Sequence, residues 1–385
     1  MVRRCALGVV LVVVELAPAT AQADDPITST DYAIEFHEGV AIGNTAQVGM
    51  GGAGAALIVG TAGGLSNPSA MAVRLTTDTD TWSWDYHLDV LTGTTSTDYD
   101  NNGKSIEGGA TLVTLGLGGR YHDWAAAVTF TGQTTPVAGA DALDAEALRL
   151  RFMVGKYVPS YDVALGVGVQ TVTFQITPAG EPQLFQVTGA GAIAGATWLP
   201  KYRDFRAALA WESPILGADV KSSCDPTNCM GYILPERIAS PWRVIAGGAY
   251  RFSETRWNQL VGGVFRDEPS LTLAADVVVA GPSQDAYGIE AFGMQMLQRA
   301  GAHTTLSLRG GAEYEWVPGR LRVRAGSYWE PSRYDGIGGR VHVTFGTDLR
   351  VFEFQLWGRR RGRISATADI ASRYRNGGLS IGFWH

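Results

Sequence analysis

Alternation of apolar and polar side chains is the feature that most constrains how this chain can fold. One run, residues 82–90, alternates at every position: Trp82, Trp84, Tyr86, Leu88 and Val90 stand between Ser83, Asp85, His87 and Asp89. Successive side chains of a β-strand point to opposite faces, so this run predicts a strand with one apolar and one polar face. Residues 305–316 and 320–325 repeat the pattern.

A closed barrel in a membrane fits these strands best. After the N-terminal residues no apolar run approaches the ~20 residues of a membrane-spanning helix, and the mean hydropathy is only +0.01. A barrel can span a bilayer at this hydropathy, because its lipid-facing and lumen-facing residues alternate. Tryptophans at the ends of the runs are typical of interfacial girdles: Trp82, Trp124, Trp198, Trp211, Trp242, Trp316, Trp329, Trp357 and Trp384. A soluble β-sandwich, which also alternates, is the alternative.

The spacing between the runs indicates which connections face outward. Long polar segments at 92–109, 132–146 and 214–237 alternate with tight turns near His122 and Pro159. Long outer loops and short periplasmic turns are typical of outer-membrane barrels. To keep this parity, residues 257–265 are interpreted as a turn insertion and 364–372 as a loop extension. The sequence thus predicts an all-β fold: a transmembrane antiparallel β-barrel of about 14 strands over residues 76–385.

The first 23 residues have the layout of a secretory signal. Arg3 and Arg4 precede a short apolar run, and the segment closes on Ala21-Gln22-Ala23. We therefore predict export through a signal peptide cleaved after residue 23. Loss of Arg3, Arg4 and Glu15 takes Lys+Arg from 31 to 29 and Asp+Glu from 37 to 36, so the formal charge moves from −6 to −7. An acidic chain without a basic cluster is not expected to bind nucleic acid.

The two cysteines of the mature chain, Cys224 and Cys229, lie five residues apart in a predicted external loop. Their spacing and an oxidising compartment favour a local disulfide. A metal site would need two more ligands near them, so neither a metal nor a cofactor is predicted.

Residues 24–75 differ from the rest because they are rich in glycine and alanine and do not alternate. The string Gly49-x-Gly51-x-x-Gly54 matches a dinucleotide-binding fingerprint, but no strand precedes it and no α/β pattern follows, so we reject that reading. Asn67-Pro68 marks a turn. Small residues let backbone pack closely, which indicates a compact segment separate from the barrel wall.

The strings "GMGGAGAA" and "NPSAMA" within residues 45–73 resemble the plug region of the FadL/TodX transporters and their PorV-like relatives, with Ser69 where alanine is usual. The resemblance implies an N-terminal plug over 24–75 in the lumen, in which we single out Gly49, Gly51, Gly52, Gly54, Asn67 and Pro68. It also implies passive uptake of hydrophobic small molecules, long-chain fatty acids or hydrocarbons, across the bacterial outer membrane. Expected partners are the ligand, outer-membrane lipid and the barrel-assembly machinery.

Two other functions are considered. A PorV-like barrel would transport nothing and would act as a scaffold or partner in surface protein secretion. A general polar porin is the other alternative, although porins lack such an apolar plug. No catalytic residues are predicted, and the chain is not expected to be an enzyme: Asp85, His87 and Asp89 share a face, but a wet lumen needs polar residues at alternate positions.

Two groups of residues are candidates for ligand binding. Residues 289–297 have apolar side chains at helical spacing in an external loop, so we predict a capture groove there with Phe292, Met294, Met296 and Leu297. A helix packed on the barrel rim is the alternative. Arg309, Arg322 and Arg324 are predicted to face the lumen. These arginines either cross-link it with neighbouring glutamates or guide an anionic head group.

Overall fold

A computed structural model describes residues 25–36, 43–75, 81–94, 97–105, 109–137, 143–263, 265–356 and 358–385. The predicted signal peptide, residues 1–23, lies outside the described residues. Two short strands come first, β1 (Asp25–Pro26) and β2 (Ala33–Glu35). The remaining strands are β3 (Trp82–Gly93), β4 (Thr111–Tyr121), β5 (Trp124–Val137), β6 (Leu143–Val158), β7 (Val163–Pro178), β8 (Phe185–Trp198), β9 (Phe205–Glu212), β10 (Ile215–Lys221), β11 (Arg237–Ser240), β12 (Arg243–Phe252), β13 (Leu271–Ala280), β14 (Ala286–Tyr287), β15 (Met296–Leu297), β16 (Thr305–Val317), β17 (Leu321–Glu330), β18 (Arg340–Gln355), β19 (Arg359–Ala371) and β20 (Tyr374–Phe383).

The wall of the barrel has fourteen strand positions within the described residues. Strands β9 and β10 both pair with β8 and form one position interrupted at Pro214. Strands β11 and β12 form the next position, interrupted at Pro241. Proline lacks the N–H that a continuous ladder needs, which explains both breaks. All wall neighbours are antiparallel, and β20 pairs with β3 to close the barrel, as the sequence predicts.

The alternation of the strands sorts side chains between lipid and lumen. Leu306, Leu308 and Trp316 face outward and are 49%, 53% and 65% exposed, whereas His87 and Asp89 face inward and are each 1% exposed. These residues therefore lie on the faces predicted for them, and Trp84, on the outward face of β3, also borders a cavity at the periplasmic end. Trp384 is an exception to the predicted interfacial tryptophans, because it is buried and its ring lies under the Arg322 guanidinium, 4.3 Å away. No helix within the described residues is long and apolar enough to cross a membrane.

Two parts of the parity argument are wrong. The segment 132–146 is not a long connection, because β5 runs to Val137 and β6 begins at Leu143. Residues 364–372 are not a loop extension, because 364–371 belong to the wall strand β19, which pairs with β18 and β20, and only Ser372 lies in the turn that follows. The external connection after β19 is a turn of only two residues, 372–373, so outer loops are not all long here. Alanine, serine and threonine alternate along this strand, and these small side chains weaken its sequence signal. The 253–270 connection contains no described strand, in keeping with a turn insertion.

The segment 43–75, which we call the lumen segment, lies inside the barrel. It contains α1 (Thr45–Gly49), α2 (Gly60–Gly63) and a 3₁₀ helix (Pro68–Ala72). Asn44 and Asn67 cap two of these helices, since each side-chain oxygen accepts hydrogen bonds from backbone N–H groups of the first turn. Helix α1 contacts β17–β20 and the 3₁₀ helix contacts β4–β8, so the segment bridges opposite walls.

The N-terminal strand β2 joins the outer end of the sheet. It pairs in parallel with β11 on one side and with β14 on the other. Towards the periplasmic end, the end with the tight turns, the neighbouring strands β12 and β13 pair with each other directly. Strand β2 therefore separates two consecutive wall positions at the outer end. Above it lie α3 (Ile289–Met294) and β15, which pairs with β1.

Candidate permeation pathway

The lumen segment is tied to β3 by hydrogen bonds from two threonines. Thr45 donates from its backbone N–H and its hydroxyl to Asp89, at 2.8 and 2.9 Å. Thr61 donates in the same two ways to Asp85, at 2.7 and 3.0 Å, and its Oγ1 lies 2.8 Å from Nδ1 of His87. The polar face of β3 therefore holds the lumen segment instead of lining an open, wet channel.

Polar side chains on other strands hold the same segment. Asp276 of β13 accepts hydrogen bonds from the N–H groups of Gly54 and Ala55, at 2.8 and 3.0 Å. Arg151 of β6 donates to the carbonyl oxygen of Leu65 at 2.5 Å. Because buried backbone groups need partners, these contacts allow irregular backbone to sit in the centre of the barrel.

Gly51 shows why the segment is rich in glycine. Its φ is +62°, and a Cβ there would come within 2.5 Å of the Gly310 oxygen and the Ser327 nitrogen. Its N–H also donates to Thr344 at 3.0 Å. A side chain at Gly51 would therefore push the segment off the wall.

The other singled-out residues of the segment also face close neighbours. Asn67 donates to the Ala55 oxygen at 3.0 Å and to Thr197 at 2.9 Å, and Pro68 lies against Gly166 of β7. Gly49, Gly52 and Gly54 are likewise closely packed. A Cβ added at these three positions would meet Gly346, Arg309 and Ile58, respectively. These contacts show dense packing, and a role of these residues in transport stays a prediction.

The inward arginines of β17 lie in a network of ion pairs. Arg324 donates to both carboxylate oxygens of Asp348, at 2.7 and 2.6 Å, and to Glu313 at 2.7 Å. Arg322 lies 3.5 Å from Glu313 and 3.6 Å from Glu315. This geometry agrees with the first of the two predicted roles, in which the arginines cross-link the lumen with neighbouring carboxylates. Arg309 lies outside this network, beside Gly52 of the lumen segment, with a 3.4 Å contact to Ser307.

The predicted capture groove is not an exposed surface, because its central residue is buried. Phe292 has no exposed surface, and its ring packs 5.5 Å from Phe185 and 5.3 Å from Tyr232. Met296 and Leu297 are half-buried and pair with Pro26 and Asp25 through β15 and β1. Met294 is half-buried at the end of α3. The structure therefore corrects the groove to a helix packed on the barrel rim.

An apolar cluster fills the outer half of the lumen beneath this helix. Alternate inward positions of β6, β7 and β8 supply much of it: Leu143, Ala145, Ala147, Val172, Phe174, Ile176, Phe185 and Val187. Phe36, just after β2, packs 5.9 Å from Phe174. A narrow cavity of about 420 Å³ remains beside Phe36, Phe174 and Ile289.

Two rim carboxyl groups close this cavity on one side. Asp100 accepts a hydrogen bond from the Tyr334 hydroxyl, and Glu290 accepts one from Asn102 at 2.8 Å. Burial raises the pKa of Asp100 to about 6, and the charge of Asp98 adds to this. Burial and the neighbouring Asp100 hold the pKa of Glu290 well above its usual range. The two acids therefore favour sharing a proton while the rim is closed.

A wider chamber lies below the lumen segment, at the periplasmic end. It consists of two adjoining cavities with empty volumes of about 1030 and 840 Å³, both partly open to solvent. Six residues line both cavities: Val73, Leu75, Arg251, Arg322, Phe383 and His385. We call these two cavities the periplasmic chamber. Sequence reasoning did not single out Arg251 as a site residue, although the inward position in its strand was a usable signal.

Cys224 and Cys229 are joined by a disulfide in the external loop between β10 and β11, with their Cα atoms 5.3 Å apart. Cys229 also exchanges backbone hydrogen bonds with Tyr232, a residue of the apolar cluster. The bridge therefore braces the loop that covers Phe292. Among the described residues no three or more His, Cys, Asp or Glu side chains are arranged to hold a metal ion.

Comparisons with known proteins bear on the fold. No family model and no curated protein matches the chain in sequence. Solved structures do match: a FadL homologue of Pseudomonas aeruginosa has 15% identity and a TM-score of 0.56, over 94% of this chain and 99% of that one. The CymD monoaromatic hydrocarbon channel has 14% identity and a TM-score of 0.55, over 90% and 97%.

The toluene transporter TodX of Pseudomonas putida gives a similar match, with 14% identity and a TM-score of 0.52, over 92% of this chain and 98% of that one. These three matches cover nearly the whole of both chains. The chain therefore has the fold of the FadL/TodX-type channels, as the resemblance of its glycine-rich segment implies.

Proposed function

We propose that the chain is a channel of the bacterial outer membrane that passively admits hydrophobic small molecules. The apolar cluster on the inward face of β6–β8 carries this proposal. A wet lumen is expected to be lined with polar residues, yet Val172, Phe174 and Ile176 point inward and are at most 1% exposed. Such a surface suits an apolar solute and would repel a polar one.

The path begins at the apolar cluster, passes the lumen segment and ends in the periplasmic chamber. Passage needs displacement of the lumen segment, because its hydrogen bonds to Asp85, Asp89 and Asp276 span the barrel. Two of the three matched proteins are named for toluene and monoaromatic hydrocarbons, which supports hydrocarbons as ligands. Long-chain fatty acids remain within the proposed range. The proposed export signal and assembly by the barrel-assembly machinery place the chain in contact with outer-membrane lipid.

A reversible lock on the lumen segment tests the proposal. A Cβ added at Gly247 would lie 3.1 Å from the Cβ of Ala55, slightly below the roughly 3.5–4.5 Å of a disulfide. The same Cβ would displace the Asp276 carboxylate, and the Gly247→Cys single variant controls for that displacement. The double substitution Ala55→Cys and Gly247→Cys, with Cys224 and Cys229 replaced by Ser, is expected to abolish uptake of labelled toluene by intact cells. Reductant should restore uptake, and each single cysteine variant serves as a control.

Undiminished uptake by the oxidised double variant would overturn passage past the lumen segment. Mass spectrometry of the extracted barrel adds a second readout. A co-purifying hydrocarbon or fatty acid supports transport. An empty barrel that retains a stoichiometric protein partner, with no uptake, would instead support the secretion scaffold.

A further inference from the structure

The periplasmic chamber has an unusual excess of positive charge. Its larger cavity is lined by two carboxylates, Asp85 and Glu315, and by seven arginines: Arg120, Arg251, Arg266, Arg322, Arg359, Arg360 and Arg361. Some of these are neutralised. Arg361, for example, donates to Asp267 at 2.5 and 2.9 Å and to Glu353 at 3.1 Å. Some other arginines of this cavity have no described carboxylate oxygen within hydrogen-bonding distance.

Arg251 and Arg266 are two such cations. Arg251 donates to the Ser270 hydroxyl at 3.0 Å, and its nearest carboxylate oxygen, on Glu315, is 3.9 Å away. Arg266 donates to the backbone oxygens of Arg256 and Gln259. In both side chains the Nε–H is buried and has no acceptor. A buried donor without an acceptor costs about 1–3 kcal/mol, so each position favours an incoming oxygen.

Burial also acts on the charge itself. In the 253–270 connection, burial lowers the pKa of Arg266 from its usual value, and the charge of Glu268 offsets only part of this. A bound anion would supply both the missing charge and the missing hydrogen-bond acceptors.

The rest of the chamber is apolar. Phe265 adjoins Arg266 and lies 3.8 Å from the Arg361 guanidinium. Trp84 and Phe383 meet edge to face at 4.7 Å, and Met71 of the lumen segment also lines the cavity. Cationic donors and aromatic rings therefore line the same space, which has an empty volume of about 1030 Å³ and is partly open to solvent.

We propose that the periplasmic chamber binds an amphipathic organic anion, with its head group on Arg251 and Arg266 and its apolar chain against Trp84, Phe265 and Phe383. The inference rests on the proposed function for the direction of supply, from the lumen above. The periplasmic chamber then binds anionic ligands before their release, whereas neutral hydrocarbons pass through without binding there. A carboxylate passing through the lumen and a phospholipid of the surrounding leaflet present the same chemistry.

Equilibrium binding to the purified barrel in nanodiscs tests the site without requiring transport. The probes are dodecanoate and the neutral dodecanol, which share one chain length. We expect dodecanoate to bind at least about tenfold more tightly, since charge-assisted hydrogen bonds are roughly twice as strong as neutral ones. The variant Arg251→Gln/Arg266→Gln should lose most of this preference. Arg203→Gln/Arg320→Gln, which removes two exposed arginines from tight turns at the same end, should keep it.

Equal affinity of the wild type for the two probes would overturn the inference, and this comparison needs no variant to fold. An equal loss in both double variants would also overturn it, by showing a general charge effect. Retention of phosphatidylglycerol by the wild type in native mass spectrometry, displaced by dodecanoate, would identify the leaflet as a second source. Toluene uptake that persists without dodecanoate binding would refute the site alone and leave the proposed channel standing.

Discussion

The two ends of the lumen are built in opposite ways. At the outer end, Phe174, Phe185 and Phe292 are at most 1% exposed and pack in one apolar cluster. The cavity beside Phe174 is narrow and edged by carboxyl groups. At the periplasmic end, arginines surround two wide cavities, and the side chains of Arg251 and Arg266 keep unsatisfied donors.

This difference puts the barrier to ligand entry at the outer end and the space for a bound ligand at the periplasmic end. Close packing at the outer end leaves little room for a solute, so entry requires movement of packed elements. The periplasmic end already has room, and what it lacks is negative charge. An anionic ligand that crosses the barrel would therefore meet its barrier first and its strongest electrostatic attraction last. A substitution in the ion-pair network tests the charged end, and substitutions at the rim test the closed end.

The largest effect is expected from Asp348→Asn, at the charged end. Asp348 has no exposed surface and holds Arg324 and Arg363, at 2.6 and 3.1 Å. Removing one partner of a buried ion pair costs about 3–5 kcal/mol, so the free energy of unfolding should fall by that amount. Urea unfolding in vesicles, followed by tryptophan fluorescence, measures it.

The matched control for this substitution is Asp285→Asn. Asp285 is 67% exposed and pairs loosely with Arg299 and Arg237, at 3.4 and 3.9 Å, so this variant should unfold as the wild type does. Equal unfolding of the Asp348 variant and the wild type would show that the ion-pair network of the charged end adds nothing to stability.

Phe292→Ala should loosen the closed end without unfolding the wall. Deleting a buried phenylalanine costs about 3–5 kcal/mol in a rigid core, and the lower end of that range is expected because a rim helix can relax. The loop of residues 281–304 should become sensitive to protease, while unfolding of the barrel stays unchanged. Met294→Ala, at a half-buried side chain of the same helix, is the control and should protect the loop as the wild type does.

A lock on β2 addresses how the closed end opens. Ala33 and Ala286 are partners in the short parallel ladder between β2 and β14. The double variant Ala33→Cys/Ala286→Cys should therefore form a disulfide bond in a background without the native cysteines. If opening of the rim requires β2 to leave, the oxidised variant should take up toluene about tenfold more slowly, since only the open fraction conducts. Equal rates before and after reduction would place the opening elsewhere.

The sequence predicts the wall well because a strand in a membrane barrel alternates by necessity. Residues such as Leu308 and Asp89 lie on the faces that their positions predict. The glycine-rich strings also predict the separate segment. Residues 364–372 are misassigned because small side chains such as Ala366 and Ser365 carry little hydropathy contrast, and the parity of loop lengths then decided their assignment.

The site is less predictable, because it depends on contacts between distant positions. The sequence places Phe292 on an amphipathic helix, but nothing local shows that Phe185 and Tyr232 cover it. Strand β2 is three residues long and offers no period to detect. The unsatisfied donors of Arg251 and Arg266 arise from what surrounds them in space, so only the structure reveals them.

The smallest expected effect is a pH dependence confined to the closed end. The pKa of Asp100 is raised to about 6 by burial, so its contribution to closure is fully present below its ordinary pKa and is lost as the pH rises through 6. Protease should therefore cut the rim loops faster at pH 8 than at pH 5. Asp100→Asn should reduce this dependence, because an amide does not ionise, and the rest comes from Glu290 and Asp98, whose pKa values burial also raises. Asp225→Asn, at an exposed loop carboxyl whose pKa is lowered by hydrogen bonds from Thr227, should leave the dependence intact. A wild-type rim cut equally at both pH values would mean that the carboxyl pair does not control closure, and that the apolar cluster alone keeps the outer end shut.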